Sequence, residues 1–101
     1  MKHFLVEITY TAPWSQVEPV VALHRAYLEQ GYSAGWLLFS GPMEPRTGGI
    51  IIARAAKMEI LLAFFASDPF QVQRVAEYRY VEFTPRLMQP WMKSWIEGNS
   101  D

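Results

Sequence analysis

The chain of 101 residues has no cysteine, which excludes a disulfide framework, a thiolate metal site and a thiol nucleophile. A cytoplasmic location is compatible with that composition and is the expected one. No run of basic residues occurs either. The nine lysines and arginines are scattered from Lys2 to Lys93 and the net charge is −1, whereas nucleic-acid binding draws its affinity from clustered positive charge. Nucleic acid is therefore not an expected partner. The apolar stretches fall far short of the ~20 residues of a membrane helix, and Glu7 interrupts the first apolar segment before a signal-peptide core can form. With two histidines in all, His3 and His24, a closed histidine-rich metal site is excluded. An open one built from His24, Asp68 and water is not, although no metal or cofactor is expected.

Aromatics, by contrast, are abundant. Trp, Tyr and Phe make up 15% of the chain and half of all residues are hydrophobic. That is ample for one core, and more than a domain this small covers by itself. Seven prolines and six glycines read as turn punctuation. One domain spanning residues 1–101 is expected, with residues 86–101 as a partly helical tail.

The pattern along the chain alternates between strand and helix periods. Residues 3–10 have Phe4, Val6, Ile8 and Tyr10 in one phase and Leu5, Glu7 and Thr9 in the other, the period of a strand. Ser15 and Glu18 form a capping-box pair. The helix they open carries Val17, Val20, Val21, Tyr27 and Leu28 as its apolar stripe, with His24 in the middle, and Gly31 is its expected stop. Residues 35–40 and 49–54 read as two strands of a hairpin with a longer loop. Both are apolar in both phases, so both of their faces are expected to be covered. Residues 57–66 read as a second helix with Met58, Leu61, Leu62 and Phe65 inward. Residues 75–84 read as a last strand, with Val81 and Phe83 on one face and Tyr78, Tyr80 and Glu82 on the other. Beyond Pro85, Met88, Trp91, Met92, Trp95 and Ile96 recur at helical spacing, as in a short helix that docks on the domain or on a partner.

The order β-α-β-β-α-β predicts an α+β, ferredoxin-like fold: a four-stranded antiparallel sheet with both helices on one face. The other face is expected to carry Leu5, Glu7, Tyr78, Tyr80 and Glu82. Two such faces paired together make a dimeric α+β barrel that encloses a cavity.

Several short segments in this order resemble the YciI-like family. They are the first strand ending near Tyr10, the histidine on the first helix, Gly41-Pro42 after the second strand, Asp68-Pro69-Phe70 before the last strand, and the closing Phe83-Thr84-Pro85. The resemblance runs from about Phe4 to Pro85. It implies a homodimer and a His–Asp pair in a pocket, which on this sequence is His24 and Asp68. It also implies small-molecule chemistry, such as isomerisation of lactones or removal of halide from aromatic compounds. Many members carry an arginine three residues before the helix histidine; that position is Val21 here, and Arg25 points in another helical direction.

Each candidate residue has a structural reading beside the functional one. An imidazole on a buried helix face, paired with a carboxylate, suits a general base near neutral pH; the alternative is a core histidine with both nitrogens satisfied. Asp68 before Pro69 is also an ordinary helix N-cap. Glu7 and Tyr80 are candidates for lining a cavity, and Ser40, Gly41 and Pro42 for its rim, although a tight strand exit uses the same residues. Gly48-Gly49 lacks a phosphate-loop pattern and reads as a turn. Three functions follow: a small acid/base enzyme, a non-catalytic binder of a small aromatic molecule, or a structural dimer module.

Overall fold

The computed structural model describes residues 1–99. Its elements are β1 (Lys2–Tyr10), α1 (Trp14–Ser33), β2 (Leu37–Pro42), β3 (Gly48–Ala55), α2 (Met58–Ala66), α3 (Pro69–Val72), β4 (Ala76–Phe83), a 3-10 turn (Pro90–Met92) and α4 (Lys93–Ile96). The strands form one antiparallel sheet in the order β2-β3-β1-β4, the ferredoxin-like arrangement that the element order predicts.

Strand alternation divides β1 cleanly. Phe4, Val6 and Ile8 are sealed from solvent under the helices with Val17, Leu61 and Phe65. Truncating a sealed phenylalanine such as Phe65 to alanine costs about 3–5 kcal/mol. Leu5 and Glu7 point to the opposite, open face beside Ile52 and Ile50 of β3.

The register of β4 corrects one expectation. Val6 lies opposite Tyr80 and Ile8 opposite Tyr78, and residues directly opposite across a ladder share a face. Tyr78 and Tyr80 therefore lie on the helix-covered side, where both rings contact Phe65 at 5.4 and 6.1 Å. Glu82, opposite Phe4, points the same way at the sheet margin and meets Lys2 at 3.6 Å. Alternation fixes which residues of a strand go together, not which face the set takes.

The helix ends also differ from their expected positions. Trp14 and Ser15 are already helical, and the Pro13 carbonyl receives the first N–H groups, so no side-chain cap forms and the Ser15–Glu18 box is not used. Gly31 does not stop α1. It is a point of contact, where a Cβ would sit 2.7 Å from Leu37 and 2.9 Å from Phe64. The left-handed residue is Gly35 at φ 81°, after which the Trp36 N–H returns to the Gly31 carbonyl. In α2 the buried residue is Phe64 in place of Leu62, which is 43% exposed. Phe64 stacks on Tyr27 at 4.8 Å and meets Trp36 edge-on at 5.5 Å, and this aromatic contact sets the rotation of the helix. Gly48 and Gly49 are ladder residues opposite Thr9 and Ile8, not a turn.

The tail docks on its own domain at one corner of the open face. Arg54, opposite His3 in the ladder, is only 3% exposed. It donates to the carbonyls of Gly35, Trp95 and Asn99 at 2.7, 2.6 and 2.7 Å, and its guanidinium lies 4.8 Å from the Trp95 ring centre. His3 Nε2 pairs with the Ile96 carbonyl at 3.0 Å. No described helix is long and apolar enough to cross a membrane.

Candidate active site

The loop from α2 into α3 builds the centre of the site. Asp68 is the N-cap of α3, its backbone extended, with Pro69 at the first helical position. Its Oδ1 accepts from the Phe70 N–H at 3.1 Å. That capping role leaves the carboxylate able to accept more, and it does. His24 Nδ1 lies 2.8 and 2.9 Å from the two oxygens, and the Tyr78 hydroxyl donates to Oδ2 at 2.6 Å. Asp68 is completely buried, so its lone pairs are satisfied by protein donors rather than water.

An ionised carboxylate can only accept, so in this pair the proton sits on Nδ1 and Nε2 is the basic nitrogen. The imidazole is fixed in a second way by the Phe70 ring, stacked on it with 3.9 Å between centroids and 8° between planes. One short segment, Asp68-Pro69-Phe70, thus supplies both the hydrogen-bond partner and the stacking surface of the histidine. Burial, and after it the charge of Asp68, pushes the Tyr78 phenol well above its usual value, which keeps it a donor at any working pH. The same two causes push Tyr80 up to about 12.

His24 lines a cavity of about 460 Å³ between α1 and the helix-covered side of the sheet. Ile8, Val21, Leu28, Ile51 and Phe70 give it apolar walls. Ser40, Gly41 and Pro42 form its far side on β2, and Tyr32 closes one end through a 2.7 Å hydrogen bond between its hydroxyl and Ser40 Oγ. The cavity belongs to one chain; it is not the space between two sheets. Asp68 stands behind His24, outside the lining.

Two expected lining residues lie elsewhere. Glu7 is on the open face, 3.3 Å from Arg79. Tyr80 is on the helix side, but its ring lies against Phe65 and its buried hydroxyl lacks a hydrogen-bond partner. Tyr78 and Phe70 are the contributors that the sequence does not single out. Phe70 was legible only as part of the Asp-Pro-Phe segment. Tyr78 would have needed the register of β4 against β1. Among the described residues no group of three or more His, Asp or Glu is placed to hold a metal ion.

The fold and site together define a ferredoxin-like α+β domain with the imidazole of a buried imidazole–carboxylate pair on the wall of a solvent-open cavity. The comparison with protein families places it further: the chain belongs to the YCII-related domain family, which matches residues 1–84. Among solved structures it is similar to 5-chloro-2-hydroxyhydroquinone dehydrochlorinase (TftG) from Burkholderia phenoliruptrix AC1100, in complex with 2,5-dihydroxybenzoquinone. The TM-score is 0.67 at 21% identity, over 83% of this chain and 93% of that one. It is also similar to SnoaB, a cofactor-independent oxygenase from Streptomyces nogalater, with a TM-score of 0.51 at 14% identity over 88% and 96% of the two chains. At these identities the likeness is one of fold. No match was found among functionally curated proteins.

Proposed function

We propose that this protein is a small acid/base enzyme in which His24 Nε2 removes a proton from a small ring compound held in the cavity, while Asp68 orients the imidazole. The reading rests on one observation: the 2.8 Å His24–Asp68 hydrogen bond, with His24 lining a cavity of about 460 Å³. A carboxylate that holds Nδ1–H and offsets the imidazolium formed on proton transfer is the positioning that a histidine base needs. In an elimination, the bond to the abstracted proton supplies the electron pair of a new double bond and the halide departs with its own pair. In an isomerisation, the same nitrogen returns the proton to another atom. Ser40 is the one serine in the lining and its hydroxyl is bonded to Tyr32, so a histidine acting as base is favoured over a serine acting as nucleophile.

The dehydrochlorinase neighbour makes chlorinated hydroxyhydroquinones the first compounds to try. Chloride release by wild-type protein, lost in His24→Asn with the fold retained by circular dichroism, is the expected result. Return of every ring compound unchanged, with thermal shifts on binding, would sink the enzyme reading and leave a binding module.

We place the working form as a homodimer paired through the open sheet face. That face carries Leu5, Ile50, Ile52 and Val81, with Phe39 and Phe83 57% and 43% exposed, an apolar surface of the kind that marks association. Phe39→Glu is expected to halve the mass measured by light scattering.

A further inference from the structure

The cavity has a charge pattern that the His24–Asp68 pair does not use. Two guanidinium groups line it, Arg25 on α1 and Arg46 on the β2–β3 loop, against one carboxylate, Glu29. Arg25 and Glu29 are four residues apart on α1, hence neighbours on one helix face, although no ion pair joins them. Arg46 lies on the loop instead. Among the described residues no carboxylate comes within ion-pair distance of it, and Glu44 in the same loop does not line the cavity. Its contacts instead hold it in place: the guanidinium lies 4.7 Å from the Trp14 ring centre, and Nε meets the Tyr10 hydroxyl at 3.5 Å. Tyr10 in turn packs edge-on against Phe70 at 5.8 Å, the ring that stacks on His24. An aromatic chain thus runs from the charged rim to the imidazole.

We propose that Arg46 is a specificity residue that selects an anionic ring compound, its acidic group at the rim and its ring directed toward His24. The ligand class is a small aromatic or quinonoid molecule bearing a carboxylate or an acidic enol. This deepens the reading of the cavity as a substrate site and rests on that reading. Binding the anionic group at Arg46 leaves the apolar walls for the ring. An arginine is suited to the task because its planar fork meets a carboxylate through two parallel N–H bonds.

The test is calorimetric titration of the intact protein with 2,5-dihydroxybenzoate and with its uncharged methyl ester. Wild-type protein is expected to bind the carboxylate roughly tenfold or more tightly than the ester, the usual effect of a charge-assisted contact, with the margin shrinking in high salt. Arg46→Gln, at an exposed position, is expected to erase the margin while still binding the ester. His24→Asn is expected to keep it. Equal affinity for the two probes, no binding of either, or a margin that survives Arg46→Gln would overturn the proposal. Its failure is separable from failure of the enzyme reading. Anion preference without turnover of any compound removes only the acid/base role, whereas His24-dependent turnover without anion preference removes only the role of Arg46.

Discussion

His3 and His24 are both buried, 7% and 8% exposed, and both stand beside an aromatic ring, yet their surroundings prepare them for different work. His24 faces a carboxylate that is held by three donors and lies flat against Phe70. His3 faces a main-chain carbonyl, is tilted at 57° to Trp95, and has the positive N-terminus and the guanidinium of Arg54 as charged neighbours. The imidazolium of His3 is opposed first by burial, then by the positive N-terminus and Arg54. The first environment fixes one tautomer, with Nδ1–H on the carboxylate and Nε2 left as the acceptor. The second holds a neutral ring that fastens the tail. Burial alone thus does not tell the two histidines apart; the group that each ring nitrogen meets does.

The sharpest way to break this comparison is at Asp68. Asp68→Ala leaves His24 Nδ1, the Phe70 N–H and the Tyr78 hydroxyl without an acceptor in the interior and removes the cap of α3. A loss of about 3–5 kcal/mol is expected on breaking a buried pair of this kind, measured as a shift of the urea midpoint. A loss below about 1 kcal/mol, the net worth of one ordinary hydrogen bond, would mean that the carboxylate is not the hub described. At the other histidine, Arg54→Met keeps the bulk of the side chain and removes its donors to Gly35, Trp95 and Asn99. A loss of about 2 kcal/mol is expected, together with rapid proteolytic removal of the tail. A tail that stays protected would show that apolar contacts of Trp95 and Ile96 suffice to hold it.

The asymmetry between the two regions was partly visible in the sequence. The element order set the fold, and the helix stripe of Val17, Val20 and Leu28 placed His24 inward. The N-cap grammar of Asp68-Pro69 located the carboxylate, and the family resemblance coupled it to the histidine. What stayed hidden depends on long-range register. Tyr78 and Tyr80 could be assigned to one face of β4, but only pairing with Val6 and Ile8 shows which face. That pairing turns Tyr78 into a partner of Asp68 and leaves Glu7 outside the cavity. The burial of Arg54 was hidden for a similar reason, since its partners are main-chain carbonyls of Gly35 and of the tail, which no side-chain pattern announces. Gly31 was misread because a glycine required for contact with Leu37 and Phe64 looks, in sequence, like one that ends a helix.

Tyr78 allows a finer test of the hub. Tyr78→Phe removes one of its three donors and leaves the ring against Phe65. A loss of about 1.5 kcal/mol is expected, as for a hydrogen bond to a charged group. If the phenol positions Asp68, and through it His24, the turnover of any substrate found should fall with little change in KM. A stability loss with turnover untouched would make Tyr78 a packing residue only.

The smallest effect belongs to His3. Burial, ahead of its other causes, lowers its pKa below the usual 6.5; the Ile96 carbonyl works against this, while the positive N-terminus and Arg54 add to it. The sign follows from proton uptake. Well above pH 6.5 the ring is neutral in both folded and unfolded chains, and its titration has no effect on stability. As the pH falls through 6.5 the unfolded chain takes up the proton first, so stability declines until the lowered folded value is passed. Unfolding midpoints from about pH 8 down to about pH 5, a range that brackets ordinary histidine titration, should therefore fall more steeply for wild type than for His3→Gln. The difference between the two curves isolates the contribution of His3 from that of every other titrating group. Parallel curves would mean that His3 takes up its proton as readily in the folded chain as in the unfolded one, so that burial does not disfavour its imidazolium.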